Sequence, residues 1–245
     1  MTPSNAPIDG QEPDEAQEAR RAFTANVSHE LKTPLTVILG YAELLKTGMF
    51  VPDDVPRISS VIYEEADYML SLVDDILALS RLDEYNITGN TRAHAVHIDL
   101  ALVARDVLSR LEPFAEQVGI KCTLEAVGDT QVKGIERLLV SIVYNLTENA
   151  VRYNSPGGTV AVAIEGLKDK VRLTVTDTGL GIEEEDQPRI FERFYRVDKA
   201  HSRHSGGTGL GLAIVKQGAQ YHNASMALKS ELDKGTEIVI EFPRG

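Results

Sequence analysis

Two long amphipathic stretches joined by a short turn fill the first third of this chain, and they limit what it can fold into. Between Phe23 and Gly48 the apolar positions Val27, Leu31, Pro34/Leu35, Ile38, Tyr41/Ala42 and Leu45 recur at alternating spacings of four and three. That repeat marks one face of a helix. From Val55 to Leu82 a second stripe runs through Ile58, Ile62, Met69, Leu72, Ile76 and Leu79, interrupted by Glu65. The link from Gly48 to Pro56 holds a glycine and two prolines and reads as a turn. The expected product is an αα-hairpin. One hairpin buries too little apolar surface alone, whereas two build a four-helix bundle, so a homodimer is expected.

The flanking segments divide the rest. Residues 1–18 carry Pro3, Pro7, Gly10, Pro13 and many acids without apolar periodicity, and read as a tail or linker. The hairpin domain is expected over 19–85. Residues 86–95, within the polar stretch Glu84–Ala95, read as a hinge, and a second domain covers 96–245. In that domain helices are expected over Asp99–Gln117, ended by Gly119, and over Gly134–Tyr153. Ile120–Leu124 reads as a strand. Val160, Val162 and Ile164 alternate with Ala161, Ala163 and Glu165, and Val171, Leu173 and Val175 with Arg172, Thr174 and Thr176. The short Gly166–Asp169 link makes these a hairpin. Ser225–Glu231 and Thr236–Phe242 form another around Asp233-Lys234-Gly235. The polar, irregular segment Glu183–Gly207 is a long loop, and such loops are often functional. Hairpins covered by amphipathic helices, without a βαβ alternation, indicate an α+β class.

Composition removes several functions. A net charge of −12 argues against a nucleic-acid partner, which needs clustered Lys and Arg. It leaves ATP open, because a bound metal and local dipoles can overcome the global field. The one cysteine, Cys122, cannot form an intrachain disulfide and reads as a packed bystander without an activating base. No apolar run approaches the ~20 residues that span a bilayer, so a cytoplasmic location is expected for this portion.

Two constellations carry chemistry. The first surrounds His29. It lies two residues from both Val27 and Leu31, which turns it away from the apolar stripe and toward solvent. An imidazole near its reference pKa is substantially unprotonated at neutral pH and can accept a phosphoryl group. Glu30 can orient the ring or take the proton from its other nitrogen. Thr33, four residues on, shares the helical face and could position water. Pro34 removes a helical N–H one turn later. His94, His97, His201, His204 and His222 have no comparable setting.

The second constellation lies in the C-terminal domain. Asn145 and Asn149 are i, i+4 on one helix, followed by Arg152 and Tyr153. Neutral amide oxygens suit a Mg²⁺ that already carries phosphate oxygens. Asp177-Thr178-Gly179-Leu180-Gly181 sits at a strand end, where Asp177 could accept from an adenine amino group. Gly206-Gly207-Thr208-Gly209-Leu210-Gly211 opens a helix, and helix N-termini favour anions. No Gly-Lys dipeptide occurs, so there is no Walker loop. Leu212 and Ile214 occupy the third-glycine positions of a dinucleotide fingerprint, which excludes that reading too.

Taken in order, these segments resemble the sensor histidine kinases. Ser28-His29-Glu30-Leu31-Lys32-Thr33-Pro34-Leu35 resembles the H box, and Asn145 to Tyr153 the N box. Asp177 to Gly181 resembles the G1 box, Phe191-Glu-Arg-Phe-Tyr195 the F box, and Gly207-Thr208-Gly209-Leu210-Gly211-Leu212 the G2 box. The resemblance covers roughly residues 20–243 and is closest to the phosphate- and osmosensing transmembrane type. It implies a dimeric helical-hairpin phosphoacceptor domain followed by an α/β sandwich of Bergerat type. It implies that His29 is the phosphoacceptor, that Glu30 assists, and that Thr33 serves phosphatase activity. It implies that Asn145 and Asn149 hold Mg²⁺ and that Asp177 reads adenine. Arg152, Tyr153, Gly179, Gly181, Gly207, Thr208, Gly209, Leu210 and Gly211 complete the ATP site, and the loop from Phe191 to Gly207 is its lid. It further implies transfer to an aspartate on a response regulator receiver domain, and a fusion to an inner-membrane sensor region absent from this chain. The sequence departs from the family at Ile135, where an acid is common, at Thr147, usually aliphatic, and at Asn223, usually glycine.

Two rival functions fit parts of the pattern. A non-catalytic scaffold could control a response regulator without turning over ATP. A gyrase- or chaperone-type ATPase clamp could use the nucleotide site alone. The intact glycine groups and asparagines oppose the first, and the exposed histidine hairpin opposes the second. The stimulus, the regulator, the balance of kinase and phosphatase activity, and cis or trans phosphorylation are not encoded legibly.

Overall fold

The computed structural model describes residues 14–88, 95–197 and 207–244, and divides into two compact units between Leu70 and Ser71. The first unit holds helix α1 (Asp14–Thr47), a 3₁₀ turn at Pro52–Asp54, and the first half of helix α2 (Val55–Thr88). α1 begins earlier than its apolar stripe, inside the stretch expected as tail. It continues through Pro34, which is buried. Hydroxyls along it bond to carbonyls one turn back, as Ser28 Oγ does to Thr24 O at 2.9 Å and Thr36 Oγ1 to Lys32 O at 2.8 Å. Gly48 ends the helix in the left-handed region, φ 68°, and the Met49 amide returns to Leu44 O at 3.2 Å. This is the Schellman closure that glycine permits. In α2 the stripe residues Ile58, Leu72 and Leu79 are buried, as their spacing requires.

The second unit adds to the remainder of α2 a five-stranded sheet and the helices that cover it. Its elements are β1 (Val96–Asp99), α3 (Leu100–Val118), β2 (Lys121–Val127), β3 (Gln131–Gly134), α4 (Glu136–Arg152), β4 (Thr159–Gly166), β5 (Lys170–Asp177), α5 (Gly211–Tyr221), β6 (Ser225–Glu231) and β7 (Gly235–Pro243). The strand order is β2-β4-β5-β7-β6, with β2 parallel to β4 and every other pair antiparallel. Both expected hairpins form. β1 and β3 make a separate two-stranded ribbon that the sequence pattern did not disclose.

Alternation decides which face of the sheet is inside. Val160, Val162 and Ile164 of β4, Val171, Leu173 and Val175 of β5, and Ile240 and Phe242 of β7 are buried. They meet Val103, Val107 and Leu111 of α3, Leu139, Ile142, Val143 and Leu146 of α4, and Val215 and Ala219 of α5 in one core. Each Val, Leu, Ile or Phe among them contributes roughly 1.5–3 kcal/mol by leaving water. Asp99 caps α3: its carboxylate accepts from Ala101 N at 3.0 Å and from Thr130 Oγ1 at 2.5 Å. Gly119, φ 74°, ends that helix as its position suggested. Cys122 packs against the core, and burial pushes its thiol pKa up, which keeps it unreactive.

The three departures from the family pattern are accommodated locally. Thr147 is fully buried and donates to Val143 O at 2.8 Å. Asn223 takes φ 53°, a left-handed conformation that asparagine tolerates better than most residues. Ile135 precedes α4 without a side-chain cap, and its N–H donates to His222 Nε2 at 3.3 Å. His222 is buried, with Nδ1 at 2.7 Å from Gly218 O and its ring edge-on to Tyr221 and Phe242. With Nε2 accepting, the proton sits on Nδ1 and the ring is neutral. Of the expected hinge, residues 89–94 lie outside the described residues, as do His94, His201 and His204.

Burial lowers the His222 pKa below its ordinary 6.5. The unfolded chain therefore takes up a proton as pH falls through that value while the folded chain does not, and stability declines from there downward. In thermal melts between pH 7.5 and 5.5, His222→Gln is expected to show a shallower fall in melting temperature than the parent.

Candidate active site

Helix α4 sets the frame of the site. Its apolar face is locked into the core by Leu139, Ile142, Val143, Leu146 and Ala150, which leaves Asn145, Asn149 and Tyr153 along another ridge. Asn145 is 9% exposed, and its amide nitrogen donates to Ser141 O at 2.8 Å. That bond fixes the amide so that Oδ1 is the atom left to act as an acceptor or ligand. Asn149 lies half-buried one turn further on.

The glycine groups converge on this ridge. A Cβ on Gly211 would fall 2.5 Å from Asn145 Oδ1, and one on Gly207 would fall 3.0 Å from the Tyr153 hydroxyl. A Cβ on Gly179 would fall 2.3 Å from Tyr153 O, which the Leu180 amide bonds at 3.0 Å. Against the backbone at Gly179 only glycine fits, while a side chain at Gly207 or Gly211 would displace the Tyr153 hydroxyl or the Asn145 amide. Gly181 adopts φ 66° with its backbone against Glu231. Asp177 closes the strand end. Its Oδ1 accepts from Gly179 N at 2.8 Å and from Thr236 N at 3.2 Å. Burial raises its pKa, and the two backbone bonds oppose the rise.

The glycine run before α5 is held from both ends. Leu210 is fully buried. Gly209, φ 71°, accepts at its carbonyl from Phe194 N at 2.8 Å, joining the run to the aromatic segment Phe191–Tyr195. Tyr195 donates to Asp186 Oδ1 at 2.5 Å, and the Arg189 guanidinium lies 4.2 Å from its ring centre. Of the expected lid, residues 198–206 lie outside the described residues.

Arg152 does not join the ridge. It pairs with Glu148 at 2.5 Å and stacks 5.6 Å from the Phe114 ring centre of α3. Two carboxylates that the sequence reading missed support this region, Asp75 at the glycine run and Asp83 at the segments on either side of it. Asp75 Oδ2 accepts from Thr208 Oγ1 at 2.5 Å, and Thr208 Oγ1 in turn accepts from Leu210 N at 3.2 Å. Asp83 Oδ1 receives Arg193 Nη2 at 2.7 Å and Gln217 Nε2 at 3.2 Å. The signal for Asp75 was present: it stands three residues after Leu72 and four before Leu79, on the apolar stripe itself. Burial lifts the Asp75 pKa to about 6; the Thr208 bond opposes this, and the charges of Glu148 and Asp74 add to it.

In the first unit His29 stands exposed, its side chain 74% accessible, with Nδ1 4.0 Å from Glu30 Oε1. Thr33 Oγ1 bonds His29 O at 3.3 Å. Tyr68, also absent from the sequence reading, donates to Glu30 Oε2 at 3.1 Å.

Residues 19–85 match the His Kinase A phosphoacceptor domain. Residues 134–245 match the ATPase family described as histidine kinase-, DNA gyrase B- and HSP90-like. The chain is a histidine kinase catalytic core. This kinase core is 38% identical over 237 residues to the sensor-like histidine kinase SenX3 of Mycolicibacterium smegmatis, covering 96% of this chain and 61% of that one. It is 36% identical to the phosphate regulon sensor protein PhoR of Pseudomonas aeruginosa over 92% of this chain and 50% of that one. The chain thus spans between half and two-thirds of these relatives. Among solved structures, histidine kinase ThkA in complex with response regulator protein TrrA gives a TM-score of 0.72 at 22% identity, covering 94% of this chain and 64% of that one. That likeness is one of fold.

The Asp75 pKa is raised in the folded kinase core, so its protonated form is favoured there. The stability this confers is present in acid and is lost as pH rises from about 4 to about 6. Asp75→Asn keeps an acceptor for Thr208 without the buried charge. It is expected to stabilise the second unit at pH 7.5 by on the order of 1–2 kcal/mol, a gain that fades toward pH 4 in denaturant titrations.

Proposed function

We propose that this chain phosphorylates itself on His29 with ATP and passes the phosphoryl group to an aspartate of a response regulator receiver domain. The observation that carries the proposal is an exposed imidazole beside Glu30 in a phosphoacceptor hairpin, on the same chain as a glycine-lined cradle along α4. His29 Nε2 attacks the terminal phosphorus, the bond from that phosphorus to the bridging oxygen breaks, and ADP leaves. Glu30 faces Nδ1 and holds its proton as the ring gains charge. Positioning and charge neutralisation supply most of the catalysis in such transfers.

The cradle suits ATP for stated reasons. Both backbone bonds to Asp177 fall on Oδ1, which leaves Oδ2 for the adenine amino group. Gly207 to Gly211 lead into the start of α5, where a helix N-terminus favours phosphates. Asn145 and Asn149 fit Mg²⁺: the amide nitrogen of Asn145 is committed to Ser141, and a neutral oxygen adds no repulsion toward the triphosphate. The metal would neutralise charge on the phosphates. Tyr153, Gly179, Gly181, Thr208, Gly209 and Leu210 shape the cradle, while Arg152 supports α4 through Glu148.

The chain is proposed to act as a homodimer. Leu35, Leu39, Tyr63 and Leu70 of the hairpin unit are 45%, 60%, 72% and 67% exposed, apolar side chains that a second hairpin in a four-helix bundle would cover. Thr33 is the proposed water-positioning residue for removing phosphate from the regulator. No helix among the described residues is long and apolar enough to cross a membrane. Attachment to a membrane is therefore proposed only through a sensor region outside this chain, and this portion is placed in the cytoplasm.

Incubation with γ-labelled ATP and Mg²⁺ is expected to give an acid-labile, base-stable phosphoprotein, and His29→Ala to give none. Label that persists in His29→Ala overturns the acceptor. Phosphate released to water with no phosphoprotein favours an ATPase clamp, and absence of ATP binding favours a scaffold. Asn149→Asp places a charge beside the phosphates and is expected to lower ATP–Mg²⁺ turnover at least about tenfold.

A further inference from the structure

Glu30 has two carboxylate oxygens, and the structure gives them different neighbours. Oε1 faces His29 Nδ1 at 4.0 Å. Oε2 accepts from the phenol of Tyr68 at 3.1 Å. Tyr68 lies on α2, 38 residues away in sequence and across the hairpin from α1. Its ring is half-buried, and its bond to Glu30 places it on the side of α2 that faces α1. A glutamate on a helix surface otherwise samples several rotamers, most of which point the carboxylate into water. One hydrogen bond from a fixed partner selects the rotamer in which the second oxygen is turned toward the imidazole.

We infer that Tyr68 is a positioning residue for phosphoryl transfer: it holds Glu30 in the orientation that serves the Nδ1 proton of His29. The inference rests on the proposed roles of His29 and Glu30. Tyr68 touches none of the reacting atoms. As Nε2 forms its bond to phosphorus and ADP departs with the electrons of the broken P–O bond, positive charge grows on the ring and its Nδ1–H becomes acidic. A carboxylate already aimed at that hydrogen lowers the barrier. One that must first be recruited from solvent does not, because the ordering entropy is then lost during the reaction itself. The phenol also keeps Oε2 from competing for the proton, so Glu30 presents a single base.

The test uses the full chain. Tyr68→Phe keeps the ring and its packing and removes only the donor. The expected result is a fall in the autophosphorylation rate constant of about 3–10-fold with the KM for ATP unchanged, since the nucleotide cradle is untouched. Nitrogen-15 NMR of His29 is expected to show a smaller fraction of the Nδ1–H tautomer in the variant. Because Tyr68 acts through Glu30, Tyr68→Phe in a Glu30→Gln background is expected to slow the reaction no further. A parent rate in Tyr68→Phe, or a full additional loss in the double variant, overturns the inference. His29→Ala separates the two levels. If it abolishes labelling while Tyr68→Phe labels at the parent rate, the acceptor stands and the positioning role falls. If it labels normally, both fall.

Discussion

The packing of α4 against the sheet is the constraint to which every group of the nucleotide cradle is referred. Leu139, Ile142, Val143 and Leu146 lock the rotation of the helix about its own axis. A turn of one residue would carry Asn145 from the ridge into the core. With that rotation fixed, the glycines can approach the same ridge closely, because Gly179 meets the carbonyl of Tyr153 and Gly211 the amide of Asn145. The chemistry of the cradle is polar, but its geometry is decided by aliphatic side chains on the far side of the helix. Interiors at close-packed density transmit such placement with little slack.

Much of this was legible in the sequence, for physical reasons that also mark where legibility ended. Long stripes at helical spacing in α1 and α2, and alternation in β4 and β5, report burial on one face, and burial is what the structure enforces. β1 and β3 are four-residue strands, too short for alternation to rise above chance. The parallel pairing of β2 with β4 joins segments on either side of α4, which no local pattern encodes. The start of α1 at Asp14 lies among polar residues whose helical state has no hydrophobic signature. Of the site, the residue types and their order were readable, and so was the exposure of His29. The destination of Arg152 was not, because one guanidinium can reach either side of its helix and the Glu148–Phe114 alternative is visible only in space. Asp75 and Tyr68 were missed because a stripe is read for its apolar members. Polar residues embedded in one carry as much information.

Charge is distributed unevenly across these features. The chain is strongly acidic, yet the run Gly207–Gly211 leads into the N-terminus of α5, where the helix dipole favours anions. A carboxylate bonded to that run, Asp75, is engaged with the hydroxyl of Thr208. Asp83 is similarly engaged with Arg193 and Gln217. Carboxylates tied down in this way act as hydrogen-bond acceptors for loop and helix rather than as a diffuse repulsive field. The fixed dipoles of the helix start then act locally on an incoming anion.

The bond from the Thr236 amide to Asp177 ties the carboxylate proposed to read adenine to the start of strand β7. Gly235 beside it has no room for a side chain: a Cβ there would lie 2.0 Å from the Asp177 carbonyl oxygen. The β6–β7 connection carries none of the recognisable motifs and sits almost sixty positions downstream of the residue it steadies. It nonetheless walls in the Asp177 carboxylate, and with it the proposed purine pocket. If Asp177 reads the base as proposed, sequence variation in that unremarked hairpin tip would be felt as altered base discrimination, and a survey confined to the named boxes would look for the cause in the wrong place.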